Sequence, residues 1–369
     1  MALKVVSVEV NSAQMCEFYG LPEKIYGKDP FYSKPFEDSV KRSVERECFR
    51  DRQRILLSYD GENAVARLIA RVSPELKDEK GCPIGMIGFF ESLENADAVK
   101  LILKEAAVWL KNVGAGEIIG PMDGDTWHRY RFNMGPFDTR PFMMEPYNPA
   151  YYPALWEKNG FEMLSYYYSK HVPDSAQAAE KTEKFLKRTG KGGFTFRRFR
   201  VDDFEGEMKI LYGLSCAIFS DNYLYTKISE SDFLEMYAGS RSILNPGLIW
   251  FSQDKNGRYA GFVYSFPDYF KAVSAMNGRN GIISKLKFLM NKSAADTLNV
   301  KTLGVIPEHR GSGLVMALMH KAYASGLAAG FRKANLCLIR EGNSSGRVDM
   351  DSGHVSRKYN LYRFNPAAS

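Results

Sequence analysis

Two hydrophobic periods alternate along the chain and set out its elements. Apolar and polar side chains alternate from Lys4 to Val10, which predicts a short strand. Ala13 to Tyr19 begins a helical, irregular region rich in Phe, Tyr and Pro that runs through Phe36. Between Gln53 and Val72 two apolar runs flank Asp60-Gly61, the signature of a β-hairpin. A strand is predicted from Ile84 to Phe90, then a helix from Asp97 to Asn112 whose Val99, Ile102, Leu103, Ala106 and Leu110 form a broad apolar stripe. Gly114 suits the stop of that helix, and Glu117 to Met122 reads as the next strand. The loop from Asp123 to Tyr147 is unusually long and holds Trp127, His128, Arg129 and Phe142, an aromatic content that argues for order. A short helix ending at Gly160 and a strand from Glu162 to His171 follow.

From Pro173 to Gly193 the composition shifts to Ala, Glu, Lys and Gly, which marks a junction with a polar helix inside it. The pattern then starts again. Phe194 opens a strand, helices are predicted around Phe204 to Phe219 and Ser231 to Tyr237, and Leu248 to Phe266 is a second hairpin about Asn256-Gly257. A variable, basic stretch from Pro267 to Met290 leads to a strand, Leu298 to Val305. At an offset of 216 residues Ala106 falls on Ala322 and Gly114 on Gly330, with the hairpins in the same order, so the halves repeat one another. The expected division is residues 1–175, a linker at 176–192, and residues 193–369.

Asp296 to Ala329 carries the most specific chemistry. Its strand ends before Pro307, and Leu314, Ala317, Leu318, Ala322 and Leu327 recur at helical spacing beyond it. Between them stands Arg310-Gly311-Ser312-Gly313. A strand, a glycine turn and a helix start present backbone N–H groups at a positive helix end, an arrangement suited to phosphate. A Walker loop needs Lys where Leu314 stands, and the dinucleotide fingerprint needs Gly where Met316 stands, so neither applies. In the first half Glu91-Ser92-Leu93-Glu94-Asn95 occupies the corresponding place, where acidic residues repel a pyrophosphate.

The run Leu303-Gly304-Val305-Ile306-Pro307-Glu308-His309-Arg310-Gly311-Ser312-Gly313-Leu314-Val315 resembles the acetyl-CoA motif of the GNAT superfamily of acyl-CoA-dependent N-acyltransferases. Val315 departs from the small residue usual there. The resemblance implies an α/β protein of two tandem GNAT-like domains, each a mixed, mainly antiparallel sheet with flanking helices. It implies that acetyl-CoA or another acyl-CoA binds only the second domain. Leu303, Val305, Arg310, Gly311, Ser312, Gly313, Leu314 and Val315 would hold it, and Asn343 would face the pantetheine arm between two splayed strands, the second carrying Leu336 to Ile339. The reaction implied is acyl transfer, acetyl by the motif, to the amine of a small molecule or peptide. The first domain would be degenerate and shape the acceptor site through Trp127 and Arg129.

The general acid and base are less marked. The family's Tyr position is taken by Asp349, which leaves Tyr359 and Tyr362 on the closing strand as substitutes, with His354 a further candidate because imidazoles titrate near neutrality. Asp296 and Asp268 are candidate bases. Loss of the family Tyr and of a small residue at Val315 favours an alternative, a non-catalytic module that binds CoA or a peptide.

Composition adds limits. Apolar residues make up 45% and charged residues 25% of 369, as in globular proteins, and the net charge of +7 comes without a dense basic run. That favours a small polyanion over nucleic acid. Five scattered cysteines with no CxxC argue against disulfides and zinc. With no signal-like start and no run long enough to span a bilayer, a cytoplasmic location is expected.

Overall fold

The computed structural model describes residues 2–241, 243–342 and 353–366. In chain order the first half contains β1 (Leu3–Val8), α1 (Gln14–Tyr26), α2 (Glu37–Val44), β2 (Gln53–Asp60), β3 (Asn63–Lys77) and β4 (Pro83–Ser92). Then come α3 (Ala96–Asn112), β5 (Glu117–Gly120), the two-residue β6 (Phe132–Asn133), α4 (Tyr152–Lys158) and β7 (Glu162–Val172). After α5 (Ser175–Lys191) follow β8 (Thr195–Arg198), α6 (Phe204–Phe219), α7 (Glu230–Ala238), β9 (Ile249–Gln253) and β10 (Tyr259–Pro267). Next are α8 (Phe270–Met276), α9 (Ile282–Asn291), β11 (Thr297–Val305), α10 (Leu314–Ala328), β12 (Lys333–Arg340) and β13 (His354–Phe364).

These elements form two compact units. In unit 1 the strand order is β1-β2-β3-β4-β5-β13, antiparallel except for β4 beside β5. The stripe predicted on α3 is buried as Val99, Ile102, Leu103, Ala106 and Leu110 against Leu56, Leu68 and Ile87 of the sheet. In unit 2 the order is β7-β12-β11-β10-β9-β8, antiparallel except for β11 beside β12. Leu314, Leu318 and Ala322 of α10 pack there on Val263, Leu298, Val300 and Leu336. Each unit is therefore the mixed, mainly antiparallel sheet with flanking helices that the repeat implies.

The boundaries differ from the expected ones. Unit 1 takes the chain up to Tyr166, Val273–Phe288 and the chain from Lys358 on; unit 2 takes Tyr167–Ala272 and Leu289–Arg357. The halves have exchanged strands. Tyr362 of β13 pairs with Gly120 of β5 inside unit 1, and Val172 of β7 pairs with Ala334 of β12 inside unit 2. The expected linker is α5, a 17-residue helix capped by Asp174. Its Ala178, Ala179 and Thr182 are buried, small side chains that let it lie close on α10, where His320 Nδ1 meets Ala179 O at 2.9 Å.

Tyr362 is one of the largest fully buried side chains of unit 1, beside Phe132 and Trp156, with its hydroxyl donating to Glu157 Oε1 at 2.8 Å. Tyr362→Ala should lower stability by about 3–5 kcal/mol through the cavity it leaves. Tyr362→Phe should cost only about 1 kcal/mol, one hydrogen bond. Denaturant unfolding of the two variants checks both values.

Candidate active site

Pro307 cannot extend the ladder of β11, and a single 3-10 turn, Pro307–His309, starts there. Arg310 N–H donates to Pro307 O at 3.1 Å and Ser312 N–H to His309 O at 3.3 Å, which wind the chain back toward α10. Gly311 and Gly313 take φ of +82° and +86°, left-handed values that glycine adopts without strain. Nothing lies within 4 Å of where a Cβ would stand on Gly311, so an approaching group meets backbone. Gly313 is the N-cap of α10 and supplies no side-chain cap. The first-turn N–H groups have no acceptor within the helix, and an anion suits them.

Two guanidiniums border this turn. Arg310 donates to Ile218 O at 3.2 Å and stands 3.7 Å from Asp221, an exposed pair that neutralises it weakly. Arg188 of α5 donates to Ser312 O at 3.0 Å. Arg188 lies in the segment whose composition predicts a linker, and nothing in its local pattern singles it out. Leu314 is buried and serves the core with its side chain, while its N–H is accepted by Ser312 Oγ at 3.2 Å.

The strands leading from the turn come apart. Tyr264 of β10 opposes Thr302 and Ser265 opposes Val300, so Lys301 is an extra residue, a bulge in β11. The parallel pairing of β11 with β12 runs from Thr297↔Lys333 to Val300↔Leu336 and ends there. β12 is deformed just beyond, where Leu338 has φ of +62° and its N–H is accepted by Ser169 Oγ. Leu303 and Val305 keep their pairing with Val263 and Gly261 of β10 and pack into the core of unit 2. Asn343 lies outside the described residues.

One residue before the strands part, a polar chain crosses three of them. His171 Nδ1 lies 2.9 Å from Asn335 Oδ1, and Asn335 Nδ2 donates to Asn299 Oδ1 at 2.9 Å. The neighbours Leu298, Val300, Ala334 and Leu336 face the α10 core, so the asparagines occupy the opposite face of the sheet. An amide oxygen only accepts, so His171 Nδ1 carries a proton toward Asn335, and in the neutral tautomer this leaves the lone pair on Nε2. The ring of His354 stands 5.7 Å from that of His171, a residue whose sequence context marks it only as the end of a strand.

The other catalytic candidates fall elsewhere. Tyr359 and Tyr362 belong to unit 1 because the end of β13 does. The Tyr359 hydroxyl donates to Glu145, and burial, then Glu157, push the Tyr362 phenol well above its ordinary value, so it holds its proton firmly. Asp296 is bound by Lys333 Nζ at 2.9 Å and by the Thr297 hydroxyl, and these hold its carboxyl below the usual range, which makes it a poor base. Asp268 donates its N–H to Thr297 O at the same end of β11. Cys337 is buried, with its thiol against Asn335 O.

Unit 1 treats the matching place oppositely. Glu91 is 2% exposed and accepts from the hydroxyls of Tyr26 at 2.7 Å and Tyr152 at 3.0 Å. Burial, then the Glu91 charge, push both phenols well above their ordinary values, so they remain donors. Asn95 caps α3 by accepting from Ala98 N–H, where Gly313 leaves α10 uncapped. The cavity beside Glu91 measures about 20 Å³, room for about one water. Arg129 is paired with Asp123 at 3.3 Å and Glu91 at 3.5 Å, and Trp127 donates its N–H to Asp125 at 2.9 Å. Both are tied into unit 1 by these bonds.

Doubled sheets of this order, a bulged strand parting from its parallel neighbour and a glycine turn onto a helix define the GNAT fold in tandem, and the chain has that fold. No family model matches the sequence. It is 20% identical over 354 residues, 93% of this chain and 92% of the other, to a protein named bacterial ceramide synthase from Caulobacter vibrioides. A tandem GNAT protein from the clavulanic acid biosynthesis pathway superposes with a TM-score of 0.53 at 10% identity, covering 99% of each chain. A GCN5-related glucosamine N-acetyltransferase region of a fungal multi-domain protein superposes at 0.56 with 17% identity, covering 98% of this chain and 38% of that longer one.

Two outcomes are expected. Val315 packs partly against the unit 2 core, so Val315→Ala should lower the melting temperature, with a loss of about 1–2 kcal/mol, and leave ligand affinity unimproved. Asp125 is raised by burial, but the hydrogen bond and charge of His128 and the Arg46 guanidinium outweigh that and hold it at about 2. Such a depressed carboxyl stabilises the fold above the ordinary Asp value and loses this as pH falls through its folded one. The stability gap between the parent and Asp125→Asn should be about 2 kcal/mol at pH 6 and close between about pH 4 and 2, as urea unfolding at each pH would read.

Proposed function

We propose that the chain is an acyl-CoA-dependent N-acyltransferase whose second unit holds the CoA thioester and whose acceptor is an amine. The observation that carries this reading is the parting of β11 from β12 directly before an open, uncapped glycine turn. The residues fit the group. The backbone N–H groups of Gly311, Gly313 and Val315, with Arg188 and Arg310, would take the pyrophosphate, and the edges of β11 past Val300 and of β12 past Leu336 would take the pantetheine amides. The closed, acidic place around Glu91 supports binding by unit 2 alone.

When bound, a thioester supplies an activated acyl carbonyl. The chain's part is to keep the acceptor nitrogen neutral and in place while its C–N bond forms and the C–S bond breaks. His171 Nε2 suits the role of base, with Asn335 and Asn299 fixing the tautomer and His354 beside it. This array favours an enzyme over a module that only binds CoA or a peptide.

The acyl group is acetyl if read from the motif alone. The likeness to the ceramide synthase extends through both units, and ceramide is an amide of a long-chain amine, which favours a fatty acyl group and a long-chain amino alcohol as acceptor.

Release of free thiol from acetyl-CoA and from a long-chain acyl-CoA, against a panel of amines that includes long-chain amino alcohols, tests the reading. Turnover is expected, faster with the long-chain thioester; no turnover with any pair would refute it. Gly311→Glu puts a charge and a strained side chain in the turn and should weaken CoA binding about tenfold or more, roughly 1.4 kcal/mol. His171→Gln should lower kcat by about 10²–10⁴ with little change in KM. An unchanged kcat would remove His171 from the chemistry.

A further inference from the structure

The basic stretch ahead of β11 takes no part in the site just described. From Tyr269 to Ala295 there is no Asp or Glu, while Lys271, Arg279, Lys285, Lys287 and Lys292 are all present. α9 lies in its middle, and its apolar residues point the wrong way for a globular protein. Ile282 is 80% exposed, Ile283 72%, Leu286 55%, Leu289 53% and Met290 80%. The buried positions are Ser284, whose hydroxyl donates to Met276 O at 3.3 Å, and Phe288.

At 100° per residue the five exposed apolar side chains fall within an arc of roughly 120°, with Lys285 on one border and Lys287 on the other. Ser284 and Phe288 fall on the opposite side and fasten the helix down. A helix built this way offers solvent a greasy strip edged with ammonium groups. We infer that α9 docks the protein on an anionic lipid surface, laying Ile282, Ile283, Leu286, Leu289 and Met290 among the acyl chains while the lysines meet the headgroup charges.

Two observations choose this occupant. The strip belongs to a single ten-residue helix roughly 15 Å long, a short seam for a stable dimer. Two copies meeting there would also bring lysine borders together. Charge complementarity therefore selects an acidic bilayer. No helix is long and apolar enough to cross a membrane among the described residues, and ten residues of helix reach only half the hydrocarbon thickness, so α9 lies in the interface. This inference stands on α9 and does not depend on the acyl-transfer reading.

Flotation of the full chain with vesicles tests it. The parent should float with phosphatidylcholine–phosphatidylglycerol vesicles, less with pure phosphatidylcholine, and less as salt rises. Leu286→Glu combined with Met290→Glu changes two exposed positions, and its binding should fall by about tenfold or more. Lys285→Glu combined with Lys287→Glu removes the charge border alone and should abolish the preference for the acidic lipid, which keeps a result in hand should the first variant fold poorly. Failure of the parent to float with acidic vesicles overturns the inference, as does binding by both variants equal to the parent's. Light scattering that shows a dimer dispersed by Leu286→Glu, without vesicle binding, assigns the strip to a second copy and equally overturns it.

Discussion

At Lys301 the strand β11 carries one residue more than β10 can pair, and its parallel ladder to β12 stops one residue earlier, at Val300. In an unbroken sheet the backbone groups of residues 301–305 would be consumed by β12, and no ligand could lie between the strands. The bulge gives up several ladder bonds and opens an edge of ordered donors and acceptors instead. That edge runs straight into the glycine turn, an arrangement in which an extended ligand with an anionic end would meet backbone along its length. Bulge and turn act together. A flat β11 would leave the turn a simple anion site, and a capped α10 would leave the open edge without an anchor.

Local signals were legible in the chain. The hairpins about Asp60-Gly61 and Asn256-Gly257, the stripe on α3 and the glycine turn depend on residues close in sequence, and the structure has all of them. The repeat was legible because both halves keep the same order. Long-range pairing was not. Nothing in β7 or β13 states which sheet each strand joins, so the strand exchange was missed, and with it the placement of Tyr359 and Tyr362 in unit 1. Arg188 was hidden for a compositional reason. Alanines that pack closely on α10 look, one residue at a time, like a polar linker. His171 ended a predicted strand and gained meaning only once Asn335 stood opposite it.

The two units show how one arrangement of elements is turned toward different ends. In unit 2 the turn before α10 is left-handed, uncapped and bordered by Arg188 and Arg310. In unit 1 the same place is filled by Glu91, held by two phenols and near Arg129, with Asn95 closing the helix end. A carboxylate that deep is costly unless it is hydrogen-bonded and paired, and here Tyr26 and Tyr152 donate to it while Arg129 supplies the opposite charge. Arg71, also buried, donates to the carbonyls of Ser43, Val44 and Asp123 and so ties α2 and the long loop to β3. These networks tie Glu91 and Arg71 to groups of unit 1 itself.

Proton handling follows from the same pairing rules. Asn299 and Asn335 sit opposite each other at the last paired rungs of β11 and β12, so their amides can meet only where the strands are still at ladder distance. His171 is joined to that rung through β7, the strand contributed by the other half of the chain. The exchange of strands is therefore what brings an imidazole to the mouth of the opening. The reach of the chain sets a further limit. Eight residues lead from Asn291 at the end of α9 to Asn299, a span of at most roughly 29 Å. A surface that held α9 would thus leave Asn299 no farther than that from the end of the helix.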